Sequence, residues 1–294
     1  MSRLRIHHET IYFYRKPVRF GPHRLLLRPR EGHDIRVEEL TLEIEPEFSL
    51  DWSRDVFGNS VATIQPLHPA KELRIRNRVV LRQTAPFPAN TASSAKPSAF
   101  PVAYSPFESG IAAAYQATTF PEDVLAVKEW MNRRFGNSHG GNAERLVESV
   151  NRGVRESISY ARRETKGVQS PAETLSRKSG SCRDMATLLL EALRVLGFPA
   201  RFASGYLHCT ASEAGHASTH AWAEVYLPEI GWVGYDATTG ESTSANHVVT
   251  GVSNHPRGVM PVTGSFFGNQ KDYTEMTVTV KTERLAIEAF AAGS

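Results

Sequence analysis

Apolar residues recur at three- and four-residue steps from about residue 121 to residue 196, and at every second residue on both sides of that stretch. A chain that changes period twice must set a helical block between two blocks of strand. On the N-terminal side, Leu40, Leu42 and Ile44 alternate with Thr41, Glu43 and Glu45, and Leu73, Ile75, Val79 and Leu81 alternate with charged neighbours. Each pattern buries one face and wets the other. Asp55, Gly58 and Asn59 lie between them as turn residues tolerant of positive φ, so a hairpin is expected there. Residues 1–84 are therefore predicted to form a small β-sandwich or open barrel. On the C-terminal side, strands are expected over residues 200–207, 220–227, 232–236 and 274–281. The fold class is α+β: a β-rich N-terminal domain, then helices packed on an antiparallel sheet.

Residues 85–110 carry neither period. They hold Pro86, Pro88, Pro97, Pro101 and Pro106 among Ala and Ser, and read as an extended linker. A catalytic or binding domain is expected over residues 111–285, with residues 286–294 as a tail. Pro121 suits a first helical position, and Val124, Leu125, Trp130, Met131 and Phe135 form a stripe that Gly136 ends. A second helix is expected from about Asn142 to Ile158. Ser170-Pro171-Ala172-Glu173 has the capping-box form, so a short helix begins there.

The 294 residues are 22% charged and 40% hydrophobic, which excludes collagen-like, coiled-coil and disordered chains. Two cysteines cannot make a disulfide framework, so a reducing compartment, the cytoplasm, is expected. No run is long and apolar enough to suggest a membrane partner. The net charge of +3 is too small to imply nucleic acid. Residues 1–36 hold nine Lys/Arg against three acids, and residues 37–51 hold six acids and no base, a contrast that reads as cross-strand pairing.

The chemistry concentrates in Ser179-Gly180-Ser181-Cys182-Arg183-Asp184, which runs into the helical stripe Met185, Leu188, Leu189, Ala192, Leu193 and Leu196. Ser181 is the expected N-cap, with Asp184 three positions on, which places Cys182 in the first turn. Unpaired backbone N–H groups and the positive helix end there favour a thiolate and can bind an oxyanion. The same thiol could be inert and buried, and this segment alone leaves the two readings level. Downstream, His220, Trp222 and Glu224 share one face of a strand, and Asp236 ends the next, joined by a short connection. A cysteine nucleophile needs a base, and an imidazole needs a carboxylate to fix its tautomer. Asp236, at a strand end beside Gly240, is expected outside the deep core.

These residues, in the order Cys, His, Asp, resemble the transglutaminase-like cysteine enzymes. The likeness rests on Gly180–Asp184, His220-Ala221-Trp222-Ala223-Glu224-Val225 and Trp232-Val233-Gly234-Tyr235-Asp236-Ala237-Thr238. It also extends to the bacterial N-terminal β-domain through Phe57-Gly58-Asn59. The resemblance implies a papain-like core, with Cys182 as nucleophile, His220 as base and acid, and Asp236 as orienting carboxylate. Animal members carry an aromatic residue after the nucleophile, whereas Arg183 follows here. Hydrolysis of a peptide or protein amide is then the expected reaction, with amine cross-linking or a non-catalytic binding module as alternatives. Trp222, Arg183 and His216 are candidates to touch substrate, Trp222 either as a cleft wall or as core packing. Asp184 is expected to cap its helix rather than orient Arg183. No cofactor is implied. His208, Cys209, His216 and His220 cluster in sequence, but their spacing matches no standard zinc pattern, so no metal is expected.

Overall fold

The structure, a computed structural model, describes residues 2–83, 98–136, 141–163, 167–208, 218–228 and 230–286. Five strands open the chain: β1 (Ser2–Leu25), β2 (Ile35–Glu45), β3 (Phe48–Arg54), β4 (Ser60–Pro66) and β5 (Ala70–Gln83). They form an antiparallel sheet in the order β2-β5-β1-β4-β3. β1 changes partners along its length. Its first half lies beside β5, and its last residues, from His23 to Leu25, pair with β4. The sheet therefore curls into a half-barrel around Tyr14, Phe20, Leu25, Ile64, Leu73 and Ile75. The acidic residues of β2 pair mainly with arginines of the adjacent β5, as in Arg76–Glu45 and Arg82–Glu38, and Arg3 of the basic first segment reaches Glu38 across it.

The helical block holds β6 (Ala99–Phe100), α1 (Pro106–Gln116), α2 (Val124–Phe135), β7 (Gly141–Asn142) and α3 (Ala143–Ser157). It continues with β8 (Ser159–Tyr160), α4 (Pro171–Arg177), β9 (Ser179–Gly180) and α5 (Cys182–Val195). α1 corrects the expected linker. Ser105-Pro106-Phe107-Glu108 is a capping box, with the Ser105 N–H donating to Glu108 at 3.1 Å, so a helix starts inside the proline-rich stretch. Of the rest of that stretch, residues 84–97 lie outside the described residues, as do residues 287–294 of the tail.

α5 is the central helix, with every residue from Asp184 to Arg194 buried. Its apolar side, with four buried leucines each contributing roughly 2 kcal/mol, fills the main core with α2, α3 and the next sheet. Its polar side is covered too. Arg194 bonds Glu191 at 2.9 Å and also the carbonyls of Ala200 and Asn254, so neither charge is left unsatisfied.

The second sheet is antiparallel, β13-β12-β11-β10-β14, built from β10 (Ala200–Leu207), β11 (Ser218–Leu227), β12 (Gly231–Asp236), β13 (Glu241–Ser242) and β14 (His247–Ser253). The chain then leaves this sheet. β15 (Val262–Phe267) and β16 (Tyr273–Leu285) both pair with β1, with Arg3 opposite Leu285 and Arg24 opposite Thr263. The strand expected at the end of the catalytic unit thus belongs to the N-terminal sheet, which corrects a simple division at residue 84. β16 runs along β1 from Arg3 to Tyr14, on the side of β1 opposite β5, and so completes hydrogen bonding along that half of the strand.

Candidate active site

The start of α5 is held by one buried carboxylate. Asp184, fully buried, accepts from the Ser181 N–H and hydroxyl, both at 2.8 Å, and from the Gln169 N–H at 2.7 Å. Arg163 adds a two-pronged contact, Nε to Oδ2 and an Nη to Oδ1, each at 3.0 Å. Burial alone pushes the Asp184 carboxyl up; the Arg163 bond and the N–H donors outweigh it and hold it below its ordinary value. Gly180 leaves room for this cap, because a Cβ there would stand 2.8 Å from the Asp184 Cβ. With Ser181 and Asp184 so engaged, the N–H groups of Cys182 and Arg183 precede the intrahelical ladder and point out of the helix start. Cys182 is half-buried.

His220, on β11, is buried and bonds Asp236 through Nε2 at 2.8 Å. With Nε2 turned to Asp236, Nδ1 is the ring nitrogen left for Cys182, whose side chain interacts with this imidazole. Desolvation lowers the basicity of this ring, but the Asp236 bond and the Cys182 interaction exceed it, so the His220 pKa is raised. Asp236 is fully buried rather than outside the core. Its Oδ1 accepts the Thr238 N–H at 2.8 Å and the Thr238 hydroxyl at 2.7 Å, an Asx-type turn closed by Gly240, whose φ is +81°. Its Oδ2 takes both His220 and a second imidazole, His247, whose Nε2 lies 3.2 Å away. Burial would raise the Asp236 carboxyl; the two histidines and Thr238 drive it far below the usual carboxylate range.

The geometry therefore brings Cys182, His220 and Asp236 together, and Asp184 is the cap that its spacing suggested. Trp222 corrects one expectation. It is 1% exposed, packed with Ala203 and Val252 and edge-on to the His247 ring at 5.2 Å, so it backs the histidines and does not line a cleft. Arg183 is half-exposed beside Cys182, with one Nη 3.4 Å from the Arg163 carbonyl. His216 and Cys209 lie outside the described residues, and the His208 Nδ1 sits 2.8 Å from the Thr282 hydroxyl. Tyr160, which no spacing placed, pairs with Gly180 across β8 and β9 and is half-exposed. Burial and the nearby Cys182 raise its hydroxyl pKa.

Arg163, Thr238 and His247 are the residues that sequence reasoning missed. His220, Asp236 and His247 offer ligand atoms within 4.8 Å of one another, a spacing that a divalent ion could use. The Ser244 N–H donates to the His247 Nδ1 at 3.1 Å, however, so the proton of the neutral ring resides on Nε2. That nitrogen presents an N–H to Asp236, not a lone pair to a metal.

Residues 4–82 match the bacterial transglutaminase-like N-terminal region, and residues 115–237 match the transglutaminase-like superfamily; together the two matches cover more than half of the chain. An uncharacterized protein of Mycobacterium leprae is 25% identical, over 97% of this chain and all of its own length. Another, of Mycobacterium tuberculosis, is 27% identical over 92% of this chain and 89% of its own. A solved structure from Cytophaga hutchinsonii, described as a candidate cysteine protease, superposes with a TM-score of 0.72 at 15% identity, over 98% of this chain and 92% of that one. At that identity the likeness establishes the shared fold.

Proposed function

Because the chain belongs to the transglutaminase-like superfamily and carries its bacterial N-terminal region, we propose that it is a cysteine enzyme that hydrolyses an amide through a Cys182 thioester. The observation that supports this reading is the His220 imidazole, held at Nε2 by the buried Asp236 and interacting with Cys182 at the start of α5. Neither the helix start nor the imidazole would suffice alone. Together they supply a thiolate, a proton carrier and N–H donors for an oxyanion.

In this reading the Cys182 thiolate adds to the amide carbonyl carbon, and the N–H groups at the start of α5 take the developing oxyanion. The C–N bond then breaks, with His220 giving its Nδ1 proton to the departing amine. Water enters, His220 removes its proton, and the hydroxide carbon–oxygen bond replaces the C–S bond. Acid product leaves and the thiol is restored. Asp236 stays ionised throughout, holding the tautomer and stabilising the imidazolium. Arg183, directly after the nucleophile, puts a cation beside the acyl site where animal members carry an aromatic wall.

The substrate class is a peptide or protein amide. Incubating the protein with a peptide-amide library and trapping acyl-Cys182 by acid quench and mass spectrometry tests the thioester. Adding a primary amine to the same mixture separates the fates: hydrolysis leaves free acid as the main product, whereas cross-linking diverts acyl groups to the amine. Predominant amine adducts would replace hydrolysis by acyl transfer, and substrate turnover without acyl-Cys182 would remove the mechanism.

A further inference from the structure

His247 has no part in the steps above, yet it is 6% exposed and shares an oxygen of the proposed orienting carboxylate with His220. Its ring is fixed on every side. Trp222 meets it edge-on at 5.2 Å, the His220 ring lies 6.0 Å away, and the Ser244 N–H holds its Nδ1. The charged or titratable groups facing it are Asp236 and His220, with Arg284 one residue further off on Asn246.

The turn that carries His247 is gripped by the N-terminal sheet. Gln83, at the end of β5, donates its amide to the Ala245 carbonyl at 2.7 Å and accepts the Ser2 hydroxyl at 2.6 Å. Arg284, at the end of β16, donates to the Asn246 side chain at 2.7 Å. Directly after His247, Val248 packs into a cluster with Leu4, Ile6, Val79 and Leu81 from β1 and β5. Residues of β1, β5 and β16 thus converge on three residues, Ala245, Asn246 and Val248, around one histidine.

We propose that His247 is a positioning residue for Asp236, and that the N-terminal sheet sets its place by holding the residue 244–246 turn. The inference rests on the reading of Cys182, His220 and Asp236 given above. Oδ1 is saturated by Thr238, so the orientation of the carboxylate is decided at Oδ2, where two N–H donors converge. With both present, the fully buried carboxylate cannot rotate without breaking a hydrogen bond. With His247 gone, a buried lone pair is left unmatched and the carboxylate is free to turn from His220. The half-barrel thereby acts on the reacting groups without touching substrate.

The experiment is the rate of Cys182 alkylation by iodoacetamide between pH 5 and 8, site-mapped by mass spectrometry. His247→Phe keeps a ring against Trp222 and loses the N–H; its low-pH midpoint is expected to rise by about one unit, roughly a tenfold loss of rate at pH 6. His247→Gln, with an amide N–H at similar reach, should recover most of that loss. Gln83→Leu, remote from the reacting atoms, should shift the midpoint in the same direction by less. A wild-type profile in His247→Phe, or a glutamine variant no better than phenylalanine, overturns the proposal. If His247→Phe does not fold, Gln83→Leu decides it: an unshifted midpoint overturns it. Failure of the parent reading looks different, since the wild type would then show no low-pH reactivity or none sensitive to His220→Ala.

Discussion

At the scale of single residues, Asp236 is a fully buried carboxylate whose two oxygens are both engaged. Four donors meet its two oxygens, so replacement by asparagine has no neutral orientation. One way round, the amide N–H₂ faces the two imidazoles; the other way, it faces Thr238. In the first case His220 turns to the wrong tautomer. Asp236→Asn is therefore expected to slow acylation of Cys182 by about 10³–10⁴-fold and to cost roughly 1–3 kcal/mol of stability. Chelation should change neither. Rapid-quench acylation and urea unfolding of the variant check both numbers, and near-wild-type acylation would remove Asp236 from the mechanism. The residue's type and place in the chain were legible from Tyr235-Asp236-Ala237-Thr238. Its depth was not, because burial here comes from His247 and Thr238 closing over it, and a strand end looks exposed in sequence.

At the scale of elements, the Cys182 helix could be read with its cap because the signal is local. Ser181 and Asp184 stand three residues apart, and the apolar stripe starts at Met185. Arg163 was invisible, being brought to Asp184 by the two-residue pairing of β8 with β9, which has no periodicity to detect. The sequence Ser105-Pro106-Phe107-Glu108 shows a different failure. It repeats the form of Ser170-Pro171-Ala172-Glu173, which announced α4, yet the surrounding prolines pointed to a linker and α1 was missed. Arg163→Met tests the cap. Removing the cation strands a buried carboxylate, at a cost of about 3–5 kcal/mol, and frees the Ser181–Cys182 turn. A lower unfolding midpoint together with slower Cys182 alkylation is expected; loss of stability at unchanged reactivity would separate the cap from the nucleophile.

At the scale of the whole molecule, the period changes correctly gave strands, helices, then strands, but not which sheet each strand joins. β15 and β16 return to β1 across more than 200 residues, and nothing in their alternation names that partner. The two sheets are then tied by the buried His8–Tyr206 bond at 2.9 Å and by Asn59, which bonds both the N–H and the carbonyl of Val252. One cooperative unfolding transition is expected by calorimetry, and two separable transitions would contradict it. Its pH dependence has a definite sign. Asp184 and Asp236 are depressed, so their contribution is present above about 3.8 and lost as pH falls through their lowered values. The His220 pKa is raised, so its contribution is complete below 6.5 and fades as pH climbs through the raised value. All three conditions are met together between those limits, where the transition temperature should peak. Whether Cys182 is a nucleophile activated by His220 is read by alkylating the native protein with iodoacetamide at pH 6 and mapping the label. Fast modification of Cys182 ahead of Cys209 is expected, with roughly a tenfold or greater slowing in a folded His220→Ala variant. A Cys182 that reacts only in denaturant, or at the same rate without His220, would contradict it.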